Sequence, residues 1–239
     1  MKVLIIIPAY NEEKSIEKVV DNLKNNYPQY DYLIVNDGSK DHTEEICHNN
    51  NYNYVSLPVN LGIGGGLQTG YLYATKNNYD IAIQIDGDGQ HDPAYIEKLI
   101  APIVAGEVDM TIGSRFIEKE GFQTSFMRRF GINIIRVVIK LCCGVTITDT
   151  TSGFRATSKR LTKFFSENYA QDYPEPEAIV ESVLNGYKVR EVSVNMNERQ
   201  GGISSITTLK SVYYMIKVSL SLIIHRLSIR KKKYEEIEI

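Results

Sequence analysis

Five short apolar runs, each broken off by a polar turn, constrain this chain more than any other feature. Val3 to Ile7 leads into Pro8-Ala9-Tyr10-Asn11-Glu12, and Tyr32 to Val35 into Asn36-Asp37-Gly38-Ser39. Val55 to Leu57 precedes Asn60-Leu61-Gly62-Ile63-Gly64-Gly65-Gly66, and Ile81 to Ile85 precedes Asp86-Gly87-Asp88. The fifth, from Met110, ends in Gly113-Ser114-Arg115. Runs of this length bounded by turn residues read as buried strands. Between them lie helical patterns over 15–24, 41–47, 65–75 and 93–103. In the first, Ile16, Val19, Val20 and Leu23 share one face. Asp41 or Thr43 can cap the second, and Pro93 holds the favoured first position of the last. Strands alternating with helices predict an α/β fold built on a mostly parallel, doubly wound sheet. Ligands then bind beyond the carboxyl ends of the strands. One polar turn is ordinary loop chemistry. Five along the same sheet edge describe a site.

Bulk numbers narrow the function classes. The 239 residues suffice for one large α/β domain or two small ones. With 27 basic and 29 acidic side chains the net charge is −2, which gives no support to a nucleic-acid partner. Three cysteines, two adjacent at Cys142-Cys143, form neither a disulfide framework nor a zinc spacing and read as reduced thiols. The first apolar run stops at Pro8 after five residues, as a buried strand does and a secretory core does not.

The fourth strand end carries the sharpest chemistry. Side chains two apart in an extended segment point the same way, so Asp86 and Asp88 can face one ligand, with Gly87 and Gly89 loosening the backbone. Carboxylate oxygens suit Mg2+ or Mn2+, held by one or two acids and otherwise by substrate phosphates. The motif therefore suggests a metal–diphosphate site. A calcium loop counted from Asp86 would place Glu97 at position twelve, but His91 stands where that loop needs glycine and Pro93 follows at position eight.

The PAYNE, NDGS, NxGxGGG and DGDGQ segments, in this order and spacing, resemble family 2 glycosyltransferases of the GT-A fold. Gly113-Ser114-Arg115, Asp149-Thr150-Thr151-Ser152-Gly153-Phe154-Arg155, Glu177, Glu191 and Arg199-Gln200-Gly201-Gly202-Ile203-Ser204 resemble its polyprenyl-phosphate sugar synthase branch, whose best-known type is dolichyl-phosphate mannose synthase. The likeness spans roughly residues 2–209. It implies a Rossmann-like GT-A catalytic domain over 1–205. It also implies a nucleotide-diphosphate sugar donor whose nucleoside pocket is lined by Pro8, Tyr10 and Glu12, with Asp37 on the base and Gly62 and Gly87 in the binding loops. Asp86 would sit near the ribose and diphosphate, and Asp88 with Gln90, and Asp86 beside them, would hold Mg2+ or Mn2+. Asn36 departs from the family's usual first Asp. His91 follows the acidic motif in many relatives. A UDP-hexose or UDP-N-acetylhexosamine is the expected donor, though Asp37 can pair with uracil or guanine.

The resemblance implies inversion at the anomeric carbon and a polyprenyl phosphate acceptor, undecaprenyl phosphate in a bacterium. Such an acceptor is already anionic, so cations must position it. Arg115, Arg129, Arg155 and Arg199 are the candidates, because a guanidinium fork matches phosphate geometry. A sugar hydroxyl acceptor in cell-surface polysaccharide synthesis would instead need a carboxylate base, for which Asp172, Glu175 and Glu177 are available. No Glu-Asp pair of the kind sugar-acceptor members carry is present. Pro174 and Pro176 depart from the usual aromatic pattern.

Residues 206–239 form the second expected unit. Leu209, Tyr213, Ile216, Leu220, Ile223 and Leu227 make one helical stripe, and Arg230-Lys231-Lys232-Lys233 follows. Lys210, Lys217, His225 and Arg226 interrupt any clean membrane span. A basic amphipathic helix is interfacial, which predicts peripheral attachment at the cytoplasmic face of the cell membrane. The alternative occupants of the stripe are a small membrane-spanning partner subunit, another copy of the chain in a homo-oligomer, or the protein's own core.

Overall fold

Every residue of the first strand is buried because both faces of the sheet are covered. In β1 (Val3–Ala9), Val3, Ile5, Ile7 and Ala9 enter one core cluster, while Leu4 and Ile6 enter the other. This explains an unbroken apolar run where a one-sided strand would alternate. The computed structural model describes residues 1–118, 126–197 and 208–235.

Around β1 the strands β2 (Asp31–Asn36), β3 (Tyr54–Ser56), β4 (Ile81–Gln84), β5 (Met110–Ser114), β6 (Arg155–Ser158) and β7 (Val189–Ser193) form one sheet of order β3-β2-β1-β4-β6-β5-β7. All adjacent pairs are parallel except those made by β6, which runs antiparallel to β4 and β5. The five strands expected from the sequence are present. β6 and β7 complete the sheet, and β6 is inserted between the fourth and fifth.

Helices α1 (Ile16–Asn26), α2 (Thr43–Asn49), α3 (Gly62–Lys76), α4 (Ile96–Val104), α5 (Phe126–Cys143), α6 (Lys159–Glu167), α7 (Pro174–Leu184) and α8 (Thr208–Glu235) flank the sheet. Asp41 caps α2 from one position before the cap residue His42, accepting the Thr43 N–H at 3.0 Å and the Thr43 hydroxyl at 2.6 Å. α3 starts three residues earlier than expected. Asn60 Oδ1 accepts the Gly62 N–H, and Gly62 turns the chain at φ +77. The helix expected over 93–103 opens instead as a 3-10 turn, Pro93–Tyr95, before α4.

α8 packs on α5 and α7. Met215, Val218 and Leu222 are buried there, and a Cβ on Gly131 of α5 would meet Met215 Sδ at 2.5 Å. Ile216, Leu220, Ile223 and Leu227, the described part of the expected stripe, face away from the body and are exposed. Phe130, Val137 and Leu141 of α5 are exposed as well. At about 100° per residue the α5 trio falls on one face of its helix. Among the described residues no helix is long and apolar enough to cross a membrane.

Candidate active site

Because β1, β2, β4 and β5 run the same way and β6 runs against them, the carboxyl ends of four strands meet the start of the fifth at one sheet edge. Pro8 pairs with Val35, Gln84 pairs with Arg155, and Arg155 also pairs with Ile112. The polar turns at 8–12, 36–39, 86–91 and 113–115 thus share an edge with the loop 149–154 that enters β6.

The first two turns are tied together. Asn11 N–H donates to Ser39 Oγ at 3.0 Å, Lys40 N–H to Asn11 Oδ1 at 2.8 Å, and Glu12 N–H to Thr43 Oγ1 at 2.8 Å. Asn11 takes φ +57, which asparagine tolerates better than most residues. Pro8 is buried, while Tyr10 is 44% exposed and so presents its ring at the surface. Asn36 is fully buried. Its amide donates to Ser56 Oγ at 3.0 Å and its oxygen accepts the Ser39 N–H at 3.2 Å. An amide supplies both a donor and an acceptor there, so the exchange from Asp leaves the turn intact. Asp37 is buried and accepts the Leu61 N–H at 2.7 Å. Burial raises its carboxyl above the usual range, and the N–H groups of Leu61 and Gly62 pull it back.

At the fourth turn Asp88 is buried and its Oδ1 accepts the Gln90 N–H at 3.0 Å. The Asp86 side chain is 35% exposed and opens outward. Gln84 Nε2 donates to Asp86 Oδ1 at 3.0 Å, the Asp86 N–H donates to His91 Nδ1 at 3.0 Å, and His91 Nε2 lies 3.6 Å from Asp86 Oδ2. The His91 ring stacks on Phe154 at 4.9 Å. Two carboxylates two residues apart, one open and one enclosed, suit an oxygen-binding divalent cation that shares its coordination with a diphosphate. Among the described residues, no group of three His, Cys, Asp or Glu makes a closed metal cage.

The three described candidate arginines meet different partners. Arg115 is buried and grips buried Asp149 in a bidentate pair, Nε to Oδ2 at 2.7 Å and a terminal nitrogen to Oδ1 at 2.8 Å. Glu191 holds the same loop, accepting the N–H groups of Thr148 and Asp149 at 2.7 and 2.8 Å. Arg155 is 1% exposed and donates to the carbonyls of Ser152 and Glu175 at 2.7 and 2.8 Å. These two guanidinium groups thus hold loops and α7 in place. Arg129 lies over the Phe116 ring at 4.6 Å, and the two line a pocket of about 250 Å³ with Ile132, Asn133, Arg136 and Thr148. Arg199 lies outside the described residues.

Of the candidate bases, Asp172 is exposed and Glu177 is turned toward α8, where it accepts the Ser221 hydroxyl. Three neighbours of Asp86 and His91 were given no role by the sequence. Gln84 carried one signal, a polar side chain inside an apolar strand. Gly153 and Phe154 stood out only as part of the motif 149–155, and their contacts with Asp86 and His91 come through the antiparallel insertion of β6.

The sequence profile described as "Glycosyl transferase family 2" matches residues 4–165. The chain is 35% identical over 216 residues to the UDP-N-acetylglucosamine–dolichyl-phosphate N-acetylglucosaminyltransferase of Methanococcus voltae, covering 80% of this chain and 84% of that protein. It is 26% identical over 231 residues to the polyprenol monophosphomannose synthase of Mycolicibacterium smegmatis, covering 91% and 86%. Glucosyl-3-phosphoglycerate synthase from Mycobacterium tuberculosis, crystallised with Mn2+, UDP-glucose and phosphoglyceric acid, superposes with a TM-score of 0.71 at 21% identity, over 94% of this chain and 79% of that one.

Proposed function

Since the chain belongs to glycosyl transferase family 2 and is a glycosyltransferase with a GT-A-like sheet, we propose that it moves a sugar, with inversion, from a UDP-hexose or UDP-N-acetylhexosamine to a polyprenyl phosphate. The observation that carries this reading is the pocket beside β5. It combines two guanidinium groups, Arg129 and Arg136, with the apolar Phe116 and Ile132. A phosphate on an isoprenoid needs that combination of a cationic fork and apolar contact. Relatives named for polyprenol and dolichyl phosphates support the same acceptor class.

Pro8, Tyr10, Glu12, Asp37 and Gly62 bind the nucleoside end of the donor. Asp86, Asp88 and Gln90 would hold Mg2+ or Mn2+ beside the donor's diphosphate, and Gly87 packs closely on Pro8 and Glu12. When bound, the cation neutralises charge on the leaving diphosphate as a Lewis acid. The acceptor's phosphate oxygen attacks the anomeric carbon. The new C–O bond forms as the sugar–diphosphate C–O bond breaks, and its electron pair leaves with the nucleotide. The nucleophile is already anionic, so no general base is required. Arg129 and Arg136 orient the acceptor phosphate. Arg115 and Arg155 fix the loops that frame the site. The exposed apolar residues of α5 and α8 rest on the cytoplasmic face of an anionic bilayer, with Lys140 and Arg226 at the surface beside them.

The test is incubation with labelled UDP-glucose, UDP-N-acetylglucosamine or GDP-mannose, a polyprenyl phosphate and Mn2+. Label in the organic extract supports the reading. Label found only in water-soluble glycan overturns it in favour of a sugar hydroxyl acceptor.

A further inference from the structure

Asp86 is the more open of the two acids, yet its geometry is closely controlled. Each of its oxygens faces a side-chain nitrogen, Gln84 Nε2 at 3.0 Å from Oδ1 and His91 Nε2 at 3.6 Å from Oδ2. Its own N–H is bound by His91 Nδ1. Since Nδ1 accepts that hydrogen bond, the ring hydrogen sits on Nε2, where it faces the carboxylate. Phe154 stacks on the ring with an interplanar angle of 10°. Gly153 closes the arrangement. A Cβ there would lie 2.6 Å from Gln84 Nε2 and 3.1 Å from each Asp86 oxygen.

Gln84 is 1% exposed, and its Oε1 is buried with no hydrogen-bond partner. An unsatisfied buried carbonyl opposes folding. A leucine or methionine in this strand would avoid it. The amide's other end is engaged only by Asp86, so the cost to stability is tied to holding that carboxylate. Unsatisfied buried polar atoms of this kind mark sites where function opposes stability.

We infer that Gln84 and His91 are positioning residues that bracket the Asp86 carboxylate and aim it at the cation and diphosphate of the donor. This rests on the donor reading above and adds two residues to it. Neither needs to touch the substrate. Groups behind a metal-binding side chain typically change metal affinity about 10- to 100-fold when removed.

The experiment measures Mn2+ uptake in the presence of UDP by electron paramagnetic resonance, alongside thermal unfolding. The proteins are the wild type, Gln84→Met, His91→Phe and Asp88→Asn. Gln84→Met keeps the length of the side chain, and His91→Phe keeps the ring on Phe154. The bracket predicts Mn2+·UDP affinity at least tenfold weaker in both, with the melting temperature of Gln84→Met equal to or above that of the wild type. A purely structural role predicts the opposite pairing, a lower melting temperature with unchanged affinity, and would overturn the proposal. Wild-type affinity in a folded His91→Phe protein overturns it as well. If the wild type takes up no Mn2+ with UDP, or Asp88→Asn binds it normally, the donor reading fails and the bracket falls with it.

Discussion

Arg115 and Asp149 form a bidentate ion pair in the interior, 34 residues apart in sequence, with neither side chain more than 6% exposed. Removing one partner of a buried pair strands the other charge, at a cost of about 3–5 kcal/mol. Arg115→Leu and Asp149→Ala are each expected to lose that much in urea unfolding, and the double variant is expected to lose less than their sum. If Arg115→Leu unfolds like the wild type yet loses transfer, Arg115 acts on the substrate rather than on the loop.

Gly153→Ala places a methyl group where the structure has room only for hydrogen, within 3.1 Å of both Asp86 oxygens. Displacement of a binding group by a fraction of an ångström can cost up to about a hundredfold in rate. UDP·Mn2+ affinity is expected to fall on the order of tenfold, with the sheet unchanged by circular dichroism. Calorimetric titration with UDP and Mn2+ provides the check.

The two faces of α8 separate attachment from folding. Leu222 is fully buried, and Leu222→Ala is expected to cost about 2–5 kcal/mol. Leu220 and Ile223 are 55% and 46% exposed, and changing both to Ser is expected to move stability by no more than roughly 0.5 kcal/mol each. The same double change is expected to release the protein from sedimenting vesicles that contain anionic lipid. Retention on the vesicles would exclude this face as the membrane contact.

Burial, with Glu177 adding to it, raises the Glu181 carboxyl from 4.5 to about 7. The unfolded chain therefore loses this proton at a lower pH than the folded one. Stability from this group is fully present below about pH 4.5 and is lost as pH rises through about 7. Glu181→Gln is expected to match the wild type near pH 4.5 and to melt higher at pH 8. His225 Nε2 lies 3.9 Å away, so the comparison is best made in a His225→Asn background too. Equal melting temperatures at pH 8 would exclude an ionised, penalised Glu181.

The sequence by itself determined the layered architecture and the polar turns at the strand ends. Those signals are local. A strand buried on both faces must be apolar throughout, as Val3–Ala9 is. Two acids set two residues apart around a glycine, as in Asp86-Gly87-Asp88, are legible within three positions.

Tertiary structure decided what each polar group faces. β6 enters antiparallel between β4 and β5, and that insertion alone brings Gly153 to Asp86, Phe154 to His91 and Arg155 opposite Gln84. From the sequence, Arg115, Arg129 and Arg155 are phosphate candidates, Arg115 favoured by its place at a strand end. Burial separated them, because Arg115 meets Asp149 and Arg155 meets two backbone carbonyls, while Arg129 and Arg136 line a pocket. Charge and residue type are written along the chain. Which groups a charge meets depends on residues tens of positions away, which only the packed sheet brings into contact.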